Sequence, residues 1–427
     1  MKFNKWTLAL AAGGVLSLGS IAQAEEAQNQ VLTALSSTTL SGYVNTSAIW
    51  KFGTGNANLP GRSYDGPGKQ DSFNLDVVKL SLEKPLDESQ WSAGYKVDLL
   101  FGPDANVFNT TSAWPAVDNQ DFALKQAYVA LRAPVGNGID FKLGVWDTII
   151  GYEVFDAGSN PNYSRSYGYF LEPTTYTGLQ ASYHVTEWLS VTGGIADTSA
   201  PTINGHSHVE SIKTYMGSFA LTAPDSFGFL QGATLYGGVI DNGKTTAGVS
   251  DVVNWYAGVT VPTPLEALTV GAAYDYRGSS SEGSPGTAGY VPSAYANAVG
   301  VYASFAATEK LKLNVRGEYA SGSPGSFPPY LDFDATGAAH GQKFIGVTTT
   351  LEYSLWENLL SRLEFRWDHD ASGGGNSFGG SGGGAAGGTP GDFEALTYAA
   401  GSYNGSGSHK GTQKNALSLA LNLIYKF

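Results

Sequence analysis

The chain contains no cysteine. Disulfides, thiol nucleophiles, cysteine metal sites and a lipid-modified cysteine at a cleavage site are therefore excluded. Charge is scarce, at 14% of 427 residues with a formal net charge of −13. A nucleic-acid binder needs a basic surface, so that class is excluded as well. Beyond the first two dozen residues, no stretch approaches the roughly 18 consecutive apolar residues of a membrane helix. A mature chain that lives in a membrane must then cross it with strands. Six scattered histidines offer no preferred general base.

The first residues have their own logic. Lys2 and Lys5 precede an apolar run from Trp6 to Ala22, which ends in Ala22-Gln23-Ala24 before Glu25. A charged start, an apolar middle and a small-x-small box make residues 1–24 a signal peptide, against the alternative of an uncleaved anchor. Its removal takes away Lys2 and Lys5, so the net charge of −13 becomes −15. Residues 25–38 read as a short periplasmic lead-in.

From residue 39 the dominant pattern has a period of two, as a strand with two unlike faces requires. The last stretch places Leu417, Leu419, Leu421, Leu423, Tyr425 and Phe427 on one face. Ser418, Ala420, Asn422, Ile424 and Lys426 stand on the other. Leu421 should face lipid, and Asn422 a wet lumen that tolerates charge. Elsewhere Lys312, Asn314, Arg316 and Glu318 alternate with Leu311, Leu313, Val315 and Tyr319. Arg362, Glu364, Arg366 and Asp368 alternate with Leu363, Phe365 and Trp367. Charged ladders of both signs are costly in a dry core and natural on a water-filled wall. Between Ser72 and Leu82 the pattern slips, which predicts a bulge near Val77.

The connectors alternate strictly. Short ones lie at 85–89, 134–138, 186–187, 224–230, 262–266, 308–309 and 357–358. Long ones, rich in Gly, Ser, Pro and Asn, lie at 53–71, 102–121, 148–172, 198–213, 242–250, 278–293, 323–341 and 371–412. Seven short and eight long connectors join sixteen strands. The fold predicted for residues 39–427 is a closed, all-β antiparallel barrel with short periplasmic turns and long extracellular loops. A soluble β-sandwich or β-helix is the alternative. Aromatic residues fall into two girdles, which two membrane interfaces select. Trp91, Trp188, Trp356, Tyr425 and Phe427 mark the short-turn end, and Trp50, Phe101, Tyr276, Tyr319 and Trp367 the other.

No motif carries a reaction. Gly375-Asn376-Ser377-Phe378-Gly379 has nucleophile-elbow spacing but sits in a low-complexity loop. His206-Ser207-His208 and Asp368-His369-Asp370 read as solvated loop and rim. The expectation is no enzyme, no cofactor and no metal.

The third long loop stands apart. It contains Gly151-Tyr152-Glu153-Val154-Phe155-Asp156, Asn160-Pro161-Asn162-Tyr163-Ser164-Arg165-Ser166-Tyr167 and Thr175-Tyr176-Thr177-Gly178. This stretch, together with Leu40-Ser41-Gly42-Tyr43-Val44-Asn45, resembles the β-barrel porin family called OmpL-like. That resemblance implies a bacterial outer-membrane channel without implying a solute. The C-terminal Tyr425 and Phe427 resemble the signal read by the barrel-assembly machinery.

The functional expectation is passive diffusion of small hydrophilic solutes and ions. A substrate-selective channel and a structural or adhesion barrel acting through its loops are the alternatives. Expected partners are outer-membrane lipid, the solutes and, as in other sixteen-stranded porins, two further copies in a homotrimer. The loop is predicted to fold inward as the constriction, with Glu153 and Asp156 as an acidic side facing Arg132, Arg316, Arg362 and Arg366 across the pore. Arg165 would join that field or lock the loop by pairing with Glu153 or Asp156. A closed Ω-loop is the alternative reading of this segment.

Overall fold

A computed structural model describes residues 31–32, 38–53, 62, 69–87, 91–105, 121–197, 203, 212–243, 251–281, 293–324, 326–327, 341–373, 377–378 and 413–427. The signal peptide, most of the lead-in, His206 and His208, and Gly375 and Asn376 lie outside these residues. So do large parts of the other long loops.

Sixteen antiparallel strands close into one ring. They are β1 (Thr39–Phe52), β2 (Ser72–Lys84), β3 (Ser92–Phe101), β4 (Phe122–Ala133), β5 (Ile139–Asp147), β6 (Thr175–His184), β7 (Leu189–Ala196) and β8 (Thr214–Thr222). They continue as β9 (Thr234–Asn242), β10 (Val252–Pro262), β11 (Leu268–Ser279), β12 (Ala294–Ala306), β13 (Leu311–Gly322), β14 (Gln342–Trp356), β15 (Leu359–Asp370) and β16 (Asn415–Lys426). Each strand pairs with its sequence neighbours. The ring closes where β16 pairs with β1, with Leu421 opposite Ala48 and Tyr425 opposite Val44. Phe427 and Gly42 exchange backbone hydrogen bonds of 2.9 and 3.0 Å, so the last residue is stitched into the seam. A two-residue segment, Val31–Leu32, pairs with the start of β1.

Alternation translates directly into two solvents. On β15, Leu363 and Phe365 are exposed on the outer face while Arg362, Glu364, Arg366 and Asp368 are buried inside. Trp91, Trp188, Trp356 and Tyr425 are exposed at the short-turn end, and Trp50, Phe101 and Tyr319 at the other. The pattern slip in β2 is a β-bulge: Asn45 faces Val77, Thr46 faces Leu75, and Asp76 is the extra residue. A second bulge leaves Lys125 extra in β4, where Asp98 faces Gln126 and Leu99 faces Leu124. Each bulge turns a charged side chain into the barrel, and both Asp76 and Lys125 are buried.

The apolar core is not a layer between sheets. Four buried apolar clusters occur, and each contains a side chain of the segment between β5 and β6: Phe155, Tyr167, Tyr152 or Tyr163. That segment lies inside the barrel.

Candidate functional site: the inward loop and the wall it faces

Residues 148–174 leave β5 and fold into the lumen. A backbone placed there must find partners for its N–H and C=O groups without forming a strand. Wall side chains supply them. Glu364 accepts from the N–H groups of Tyr163 (2.6 Å) and Ser164 (2.9 Å), and Glu318 accepts from that of Tyr167 (2.6 Å). Arg316 donates to the carbonyls of Ser164 (2.9 Å) and Arg165 (3.2 Å), and Arg366 to that of Arg165 (2.6 Å). Arg362 donates to the carbonyls of Ala157 (2.7 Å) and Asn160 (2.8 Å). The charged ladders of β13 and β15 are thus a docking surface for loop backbone.

The loop also braces itself. Asn160 accepts from the N–H of Val154 (2.8 Å) and donates to the carbonyls of Val154 (2.7 Å) and Asp156 (3.0 Å), fixing the turn between them. Ser166 caps the five-residue helix α1 (Tyr167–Leu171) by accepting from Tyr169 N–H. Tyr167 stacks on Phe344 with ring centroids 5.3 Å apart, and Tyr152 stacks on Tyr302 at 4.0 Å. On the other side of the barrel, the buried Arg62 joins Asp76 and Asp104 and lies over the Tyr163 ring at 5.0 Å.

The predicted transverse field needs correction. Arg316 and Glu153 are in direct contact at 2.8 Å, both fully buried, so they do not face each other across water. Arg362 and Arg366 are likewise spent on loop carbonyls, Glu352 and Asp368. Arg165 donates to the carbonyls of Tyr163 and Phe155, both at 2.8 Å, and so braces the loop from within. Arg132 is not near the loop: it pairs with Asp140 at 2.6 Å by the short turn after β4. Strand direction puts it at the periplasmic end, a level that alternation alone does not weigh. Asp368 and His369 stand on opposite faces of β15, and Asp370 accepts from Ser377, so that triplet does not converge.

Asp156 does reach the open side. Its carboxylate accepts from Lys79 on β2 (2.8 Å) and from Tyr43 on β1 (2.9 Å), and its side chain keeps 34% exposure. Burial works against its charge, but the Lys79 ammonium outweighs that and holds Asp156 well below the usual carboxylate range. Beyond it lies a polar wall built by β2–β5: Lys79 with Asp98, Lys96 with Glu83, Lys125 with Asp147, and Lys142 over the Tyr128 ring. Two recesses flank the loop. One is lined by Lys125, Asp147, Val154, Phe155 and Pro173, and the other by Ser159, Asn160, Lys312, Glu352 and Lys426. Strand direction places the first toward the long loops and the second toward the short turns.

At the root of the loop, Glu172 is buried in hydrogen-bond contact with Asp275 of β11. Burial and the adjoining Asp275 carboxyl push Glu172 well above the usual glutamate range. Two carboxyls so placed hold a proton between them. Gly151 has positive φ and Gly168 does not, but a Cβ at either would collide with Glu172 or Asp275 respectively.

The profile of the family described as "Putative beta-barrel porin-2, OmpL-like" matches residues 37–401, and the chain belongs to that family. It is an outer-membrane porin, a passive channel. Solved structures share its fold at low sequence identity. The outer membrane channel DcaP of Acinetobacter baumannii superposes with a TM-score of 0.55 at 9% identity, over 91% of this chain and 97% of that one. An anion-selective porin from Comamonas acidovorans gives 0.53 at 11%, over 91% and 99%. OmpT of Vibrio cholerae, also solved in a trimer form, gives 0.51 at 13%, over 91% and 98%. No curated protein gives a significant sequence match.

Proposed function

We propose that residues 148–174 form the constriction of this channel, and that solutes pass through the gap along the polar wall of β2–β5, beside the point where Asp156 meets Lys79. The observation that carries this is Asp156: its side chain keeps 34% exposure between two recesses, while the loop's other charged side chains, Glu153, Arg165 and Glu172, are buried. Transport is then passive diffusion of small hydrophilic solutes and ions through a wet gap, with no reaction and no cofactor. Residues 1–24 serve as the export signal, residues 25–38 as a periplasmic lead-in, and Tyr425 and Phe427 as the signal for barrel assembly. The trimer form of the OmpT neighbour supports a homotrimer.

The absence of cysteine makes the test clean. An Asp156→Cys variant carries one thiol, so a bulky thiol reagent added to an open channel in a planar bilayer reacts at one place. Single-channel conductance should fall by at least half after modification. Unchanged conductance, with labelling confirmed by mass, would show that solutes pass elsewhere.

A further inference from the structure

Three of the ion pairs along the gap are lopsided, whereas Lys79–Asp98 on the same wall is sealed, at 7% and 0% exposure. In Lys79–Asp156 the lysine side chain is 7% exposed and the carboxylate 34%; in Lys125–Asp147 the values are 2% and 33%; in Lys96–Glu83 they are 23% and 41%. In each, the acidic side chain is the more exposed partner and the lysine the more buried one, although Oδ1 of Asp147 is itself buried. The pairs that dock the loop on the far side behave differently: Arg316–Glu153 and Arg366–Asp368 are sealed at both ends, at 0% to 1% exposure.

An ion pair is neutral overall, so its field in the pore is that of a dipole. The end nearer the permeating ion dominates, because Coulomb energy falls with distance and a narrow, low-dielectric gap screens weakly. Here the nearer end is negative in all three pairs. Lys142 is the counterweight on this wall: among the described residues no carboxylate forms an ion pair with it, and its ammonium is turned over the Tyr128 ring, 5.0 Å from the centroid. The two pairs at the level of the loop, those of Asp147 and Asp156, have the most deeply buried lysines of the three.

We propose that the channel prefers small cationic solutes, and that Asp147 and Asp156 set this preference by presenting the more exposed, negative ends of ion pairs whose lysines are buried, Lys79 being shared with the buried Asp98. The inference rests on the gap being the constriction. It does not rest on net charge, which says nothing of where the charge lies.

The test is the zero-current potential of single channels in a KCl gradient. The parent should show a K⁺ over Cl⁻ permeability ratio several-fold above one. Replacing both members of each pair, Lys79→Gln with Asp156→Asn and Lys125→Gln with Asp147→Asn, leaves net charge unchanged and strands no buried lysine, and Asp98, which loses Lys79, keeps its hydrogen bonds from Ser81 and Gln126. The ratio should fall at least twofold toward unity. A conducting parent with no cation preference would overturn the proposal. So would an unchanged ratio in a paired variant that still conducts. If thiol modification at Asp156→Cys leaves conductance intact, the constriction itself is misplaced and this inference goes with it, so the two failures are distinguishable.

Discussion

Leu421 and Asn422 are neighbours on β16 with opposite surroundings. Leu421 is exposed on the outer face, near the middle of its strand. Leu421→Arg places a charge near the bilayer midplane at a cost of about 2–4 kcal/mol, and should reduce folded, heat-modifiable barrel in the membrane fraction. The inward control cannot be Asn422. It is 1% exposed and donates to Asn45 (2.6 Å) and to the Thr46 carbonyl (2.9 Å), so an arginine has no room there and the expected tolerance fails. Thr269 on β11 lines the periplasmic-side recess, and Thr269→Arg should assemble normally. Equal loss in both variants would refute the facing of the wall. The same distinction explains what alternation conveyed about Arg316, Arg362 and Arg366. Period two says which side of the wall a residue occupies; it does not say whether that side holds water or loop. Alternation does not single out Lys79, Lys125 and Asp147 for a related reason. Asp147 ends a strand, Lys125 sits in a bulge, and Lys79 follows one, so none stands in a clean ladder.

The loop is the element on which the site depends, and its fold is partly written in its composition. Tyrosines, both charge signs and a capping Ser166 suit a segment that must satisfy its backbone in a confined space. Its partners lie over 150 residues away on β13 and β15, beyond local pattern. The bulge was visible as a broken alternation near Val77, one residue from Asp76. The clasp at the root of the loop carries a pH dependence. Glu172 binds its proton more tightly when buried beside Asp275 than it does when unfolded. The folded state therefore holds more protons over that interval, and stability must fall as pH rises from the ordinary glutamate range toward the raised value. Near the pair stand Glu153, Tyr152 and Tyr169 of the loop, Lys125 and Asp147 of the wall, and Tyr256 of β10. Several of these titrate or respond too, so the comparison must be with a variant. Glu172→Gln keeps a donor for Asp275 but no proton to lose. Melting temperature between pH 5 and 9 should decline more steeply in the parent than in Glu172→Gln. Parallel slopes would mean that the clasp does not titrate in this range.

At the scale of the molecule, the barrel wall is not of even height. β14 has 15 residues and β1 has 14, whereas β7 has 8 and β8 and β9 have 9 each. Eight residues at about 3.3 Å each, tilted by about 45°, span roughly 19 Å, against an apolar band of about 25 Å. A wall that short must thin the bilayer or be covered by protein, and oligomerisation is one relief of such mismatch. Its outer face is shaped for close approach. Gly193 of β7 and Gly217 of β8 are paired in register, open to the outside, and set among the exposed Ile195, Tyr215 and Phe219. A flat, small-residue floor with apolar flanks lets two walls meet at short distance, as small residues do between membrane helices. The prediction is that detergent-solubilised protein is a trimer by light scattering with detergent correction, joined through the β7–β9 wall. Gly193→Phe combined with Gly217→Phe fills that floor while leaving each barrel's ladder intact. The variant should run as a heat-modifiable monomer. A monomeric parent would remove the trimer, and a trimeric double variant would move the interface to another part of the wall.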